Sequence, residues 1–201
     1  MPDTLHDVID TLVGIMPGTP LDAIRARRPE ARKHAQASYA GLLVPAEPGG
    51  VSLPERFAIA AFVAGLHGEP ETAAFYAEGL KSSGAPLSLG AAIAQQVDKA
   101  KAVGPYGRYP KGPLSAEDQA GPVHRVADEA QAELGAKLAS ALEHVHMLVL
   151  HPRDAAPPSL QAMLDAGWST TDVVVISQLV SFLSYQIRIV AGLRTLASHP
   201  A

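Results

Sequence analysis

The chain has 201 residues, of which 47% are hydrophobic, 18% charged and only 5% aromatic. That is enough apolar mass for one domain, or two small halves sharing a core, and the small-residue bias suits packed helices better than a β-sandwich. A formal net charge of −4 gives no electrostatic case for nucleic acid, and the absence of cysteine excludes disulfides, thiolate metal ligands and thiol nucleophiles.

The N-terminus carries Asp3, Asp7 and Asp10 without a basic region, which does not read as a signal peptide. Apolar positions from Leu5 to Met16 predict a first helix from about Asp3, closed by Pro17-Gly18. Thr19-Pro20 opens a second, and Pro29 a third that reaches Leu43. After the Pro-Gly-Gly turn, Ser52 and Glu55 form a predicted capping box, and the apolar run to Leu66 is a helix. Further helices are expected from Pro70 to about Lys81 and from Pro86 to about Val103. The stretch from Gly104 to about Ser115 is rich in Gly, Pro and Tyr and reads as a linker.

Beyond it, one long helix is expected from about Val123 to Leu150, interrupted only by Gly135, then a short one from Ser159 to Ala166. Ser169 and Asp172 cap the last helix, which runs to about Ala197. Its uncharged segment from Val173 to Ile187 is too short and too rich in Ser and Gln for a bilayer span, which needs about 20 apolar residues. It suits a core or a subunit interface, so the expectations are a cytoplasmic homo-oligomer and no membrane or nucleic-acid partner. The fold class is all-α in a single domain covering 1–201.

The two halves, about 20–103 and 123–198, can be laid on each other. Tyr39 to Pro45 matches His146 to Pro152, the Ser52 and Glu55 cap matches the Ser169 and Asp172 cap, and Ile59, Phe62 and Leu66 match Ile176, Leu179 and Leu183. On these residues, and on the segments from Ser52 to Gly68 and from Gly167 to Arg188, the chain resembles the alkylhydroperoxidase D-like, or carboxymuconolactone decarboxylase, superfamily as a two-repeat member. That resemblance implies a helical peroxidase-related fold and a dimer, trimer or hexamer. Thiol-active members carry a glutamate, then eleven residues, Cys-x-x-Cys, and a histidine four further on. Glu55 matches the glutamate, but His67, Pro70 and Ala74 occupy the other positions. In the second copy the residues are Asp172, Ser184, Ile187 and Ala191. Peroxide reduction needs a thiolate and a resolving thiol, so that mechanism would require a partner chain's cysteines.

The remaining candidates are Glu55, His67 and His146 for proton transfer, and Tyr76, Tyr185 and Arg188 for holding a substrate. Glu55 and His67 lie about 18 Å apart along one helix, so they meet only if the chain bends back after Gly68. Otherwise Glu55 is a cap residue and His67 a helix-end residue. His144, His146 and His151 cluster, but His146 should point away from the other two, and the span is too long for chelation, so no metal or other cofactor is expected. Arg188, among apolar neighbours, needs either a carboxylate partner such as Asp172 or Glu143 or an anionic ligand. Tyr76 and Tyr185 follow their core helices at similar places and are expected to share a pocket. Arg25, Arg27, Arg28, Arg32 and Lys33 form a basic run read as a solvated face. Two readings follow: a cofactor-independent enzyme acting on a small carboxylic acid or lactone, or a non-catalytic binding or assembly module.

Overall fold

The computed structural model describes residues 7–104 and 106–199, and among these the chain is all-α. The expected start of the first helix, including Leu5, lies outside the described residues. The helix is seen as α1 (Val8–Val13), with Asp7 as its cap. Then come α2 (Pro20–Ala26), α3 (Pro29–Leu43), α4 (Leu53–Leu66), α5 (Pro70–Ser82) and α6 (Leu87–Ala100).

The second half departs from expectation at its start. Residues 121–127 have no regular structure, and the helix expected from Val123 is instead α7 (Asp128–Leu134) and α8 (Ala136–Leu150), broken at Gly135. Pro122 lacks an N–H and disfavours helix in the residue before it, while His124 and Val126 are drawn into the core at 7% and 3% exposure. The chain closes with α9 (Pro157–Asp165) and α10 (Thr170–Ser198). α6 also stops at Ala100, short of Val103, so 101–104 run as irregular chain.

α4 is the central element. It is buried at every position from Arg56 to Ala64 and packs against α5, α6, α8 and α10. An apolar helix surrounded on all sides explains why it lacks an amphipathic stripe. Both predicted capping boxes form. Ser52 Oγ accepts from the Glu55 N–H at 3.4 Å while Glu55 Oε2 accepts from the Ser52 N–H at 2.7 Å, and Ser169 and Asp172 repeat the exchange at 3.1 and 2.9 Å.

α4 and α10 lie side by side in the same direction. At the starts of the two helices the Asp172 carboxylate presses on Gly50, where a Cβ would fall 2.2 Å from Oδ1. Fifteen residues after each cap serine, His67 Nε2 stands 3.3 Å from Ser184 Oγ. Between these ends Ile59, Phe62, Ile176 and Leu179 are completely buried.

α10 is long and apolar enough, by length and composition, to cross a membrane, and half of its most apolar window is buried inside the fold. A helix packed on α3, α4, α8 and α1 meets the same test, because a core helix and a spanning helix share composition. The basic run is not one solvated face. Arg25, only 8% exposed, pairs with Asp7 and Asp10, and Arg32 bonds to Asp10 and Asp22, clamping α1, α2 and α3 together.

Candidate functional site

The C-terminal ends of α4, α6 and α8 and the middle of α10 enclose a cleft of about 740 Å³. His67 reaches it because α4 ends there. Its imidazole is partly buried and held against Ser184. Burial first, and the nearby Arg188 charge second, hold the His67 pKa below its ordinary value, so near neutral pH the ring is a free base. Arg188 is exposed on the same cleft and, among the described residues, has no carboxylate partner. Asp172 is committed to its own cap, and Glu143 binds Arg125 at 2.7 Å and the Val126 N–H at 2.9 Å.

Two further cations line the cleft that the sequence reading missed. Lys101 sits just past α6 and pairs with Asp98 at 2.9 Å. Arg153 follows the proline that stops α8. Its Nη2 donates to the Tyr106 carbonyl at 2.8 Å and its guanidinium lies 3.6 Å from the centroid of the Tyr109 ring. Among the described residues, no acidic side chain lines the cleft. Three cations, a neutral imidazole and walls of Leu66, Val149 and Leu150 suit a small anion with an apolar body. The volume falls within the roughly 300–1,000 Å³ common for ligand sites.

The other expected site residues lie elsewhere. Glu55 does not approach His67, because the chain turns into α5 after Gly68 while Glu55 stays at the far end of α4. There it caps the helix and lies 3.7 Å from Lys137 Nζ. Tyr76 is fully buried and donates to Gln186 Oε1, and burial pushes its pKa above the usual phenol value. Tyr185 points to solvent at 42% exposure, so the two tyrosines share no pocket. Successive helical positions face different ways, and Gln186, completely buried, takes the inward direction.

His146 belongs to a second, smaller pocket of about 300 Å³ behind the end of α8. His124, His144, His146 and His151 all line it, each more than nine-tenths buried. His146 was expected to point away from the others. The helix ends at Leu150, however, and His151, with φ −146°, turns back onto the same pocket. The rings pack in sequence, with Phe62 to His124 at 5.9 Å, His124 to His146 at 5.2 Å and His146 to His151 at 6.2 Å between centroids. His146 Nε2 donates to the Ala100 carbonyl at 3.1 Å and His151 Nε2 to that of Pro122 at 3.0 Å, which fixes the Nε2–H form. Burial pushes the His146 pKa down to about 4, the Ala100 carbonyl opposing and the neighbouring imidazoles assisting. Burial likewise lowers His144 and His124. Among the described residues, no three histidine or acidic groups stand where they could hold one metal ion.

No protein-family model, no curated protein and no solved structure matches this chain.

Proposed function

We propose that this protein binds a small organic acid or lactone in the cleft between α4, α6, α8 and α10 and acts on it by cofactor-independent proton transfer. The observation that carries the reading is the meeting of His67 and Arg188, one from each half of the sequence, in a cleft with no acidic side chain among its described lining. Arg188 supplies a planar fork for a carboxylate. His67, neutral near pH 7, removes a proton from the carbon beside the bound carbonyl, and the Ser184 hydroxyl orients the ring. Arg188 and Arg153 stabilise the enolate charge that develops, and the imidazolium returns the proton on the other side of the step.

This reading places the chain beside the cysteine-free carboxymuconolactone decarboxylase-like proteins of the alkylhydroperoxidase D superfamily. The support is the pair of like capping boxes, 117 positions apart, and the side-by-side α4 and α10, on which His67 and Ser184 occupy equivalent places. The homo-oligomer is part of the same proposal, supported by apolar side chains left uncovered along α10, such as Val174 and Ile189. A non-catalytic binding module is the second reading. It is favoured by the distance of Glu55 from His67, which leaves the imidazole without a carboxylate to raise its basicity.

One experiment separates the two. Panels of small carboxylic acids and lactones are screened by thermal shift, and the hits are then followed in D₂O by NMR. Exchange of the α-proton that is lost in His67→Gln while binding persists supports the enzyme. Binding without exchange leaves the module, and no hit at all removes the enzyme and turns the module reading towards a protein partner.

A further inference from the structure

The histidine pocket and the cleft have no lining residue in common, but their linings interleave along the chain that follows α8. Of the fourteen residues lining the cleft, five come from segment 101–106 and four from segment 149–153. Both segments are braced from behind by the histidines. His146 holds the carbonyl of Ala100, the residue before Lys101, and His151 immediately precedes Pro152 and Arg153. Over the pocket runs the irregular strap 118–127. It is pinned by the His151 bond to Pro122, by Glu143 on Val126 and Arg125, and by the His124 ring inserted between Phe62 and His146. Gly121 lies directly on the His151 ring, where a Cβ would fall 2.3 Å from Cγ.

The pocket holds too few partners for its nitrogens. Both of those on His144, Nε2 of His124 and Nδ1 of His151 are buried without a hydrogen bond, although Asp154 Oδ2 stands 3.2 Å from the last, off hydrogen-bond geometry. A proton arriving on His124 or His144 creates a buried charge without a partner, whereas one on His151 Nδ1 meets the Asp154 carboxylate. The charged groups facing the cluster are Arg125 on the strap, Lys99 on α6, Glu143 on α8 and Asp154 in the turn after it, while α9 contributes only apolar and hydroxyl groups. Glu143 is already spent on Arg125 and the Val126 N–H, so it cannot neutralise a new charge without releasing the strap.

We propose that this pocket is a proton-operated latch: protonation of its histidines frees the strap 118–127 and, through Ala100 and His151, loosens the cleft so that anion affinity falls as pH falls. The coupling to the cleft rests on the proposed function, whereas the release of the strap does not. The sign is diagnostic. Without the latch, acid adds charge to His67 beside Arg188 and anion affinity rises.

The test uses the whole chain at about pH 7.5 and about pH 5, on either side of the ordinary histidine pKa. Amide hydrogen exchange is read over 118–127 and corrected for the intrinsic effect of pH. Sulfate, whose charge is constant over this range, is titrated by calorimetry. The wild type is expected to lose protection in the strap by at least about tenfold at the lower pH, the equivalent of one pKa unit, and to bind sulfate more weakly. The double variant His124→Phe/His144→Leu removes two unsatisfied rings and should flatten both changes. If it does not fold, His144→Leu alone, which breaks no hydrogen bond, should reduce them. Equal strap protection at the two pH values, or the same loss in the variants, overturns the latch. Tighter sulfate binding at the lower pH overturns its link to the cleft. Failure of sulfate to bind at either pH counts against the proposed function and also removes that link, while strap exchange still decides the latch.

Discussion

The two hollows on either side of the end of α8 are built from similar residues and prepared for opposite states. The cleft is open, its cations are exposed, and its one imidazole keeps company with Ser184 and Arg188. The histidine pocket is smaller, its imidazoles are buried, with three of them packed in a row behind Phe62, and burial keeps at least three of the four neutral. An open cationic site can wait for an anion because water screens it meanwhile. A site of buried imidazoles has no such reserve, so its stability depends on the absence of charge.

The largest effect should come from Phe62→Ala, which strips the support from His124 and opens a void at a fully buried position. A loss of about 3–5 kcal/mol in denaturant unfolding is expected, and a loss below about 1 kcal/mol would mean the pocket relaxes around the gap. Next is pH. A histidine held neutral by the fold resists a proton that the unfolded chain accepts near the ordinary value. Stability is therefore intact above about pH 6.5 and falls with pH until about 4 for His146. That residue alone accounts for about 3 kcal/mol across the window, and His146→Gln should make the stability profile shallower. A profile as steep as the wild type's would place the titrating groups elsewhere.

Arg188→Gln sharpens the contrast from the other side. Calorimetry should show anion affinity reduced about 30-fold, or about 2 kcal/mol, with the unfolding midpoint unchanged, since Arg188 bonds to no described residue. A fall in stability instead would make it a structural residue. The smallest effect is Lys101→Ala, whose exposed pair with Asp98 is worth no more than about 0.5 kcal/mol to folding. It should weaken anion binding only modestly, and the weakening should vanish at high salt.

Most helix limits were legible because capping boxes, prolines and apolar spacing act within a few residues. Ser52 with Glu55 and Ser169 with Asp172 form the hydrogen bonds the sequence implies. The pairing of His67 with Arg188 was half legible: each stood out, but only packing shows that they face one cleft. Lys101 and Arg153 gave no signal, since each sits at the end of a helix in an ordinary charged stretch. The strap misled for a related reason. Its alternating pattern at His124 and Val126 is too brief to oppose the helical periodicity that follows, and the burial that decides it comes from Phe62, far away in sequence. Tyr185 failed because one position on a helix separates a solvent-facing ring from the buried Gln186.

The side-by-side α4 and α10 also have a cost in time. The faces that cover each other are separated by 117 positions of chain, so the centre of the molecule is sealed by an element made long after α4. Closing so long a loop costs entropy before the contact can repay it, which makes assembly slower than in a bundle of neighbouring helices. Until α10 docks, Ile59 and Phe62 have no lid on that side, and the nascent chain offers an apolar surface on which a chaperone or another copy can settle.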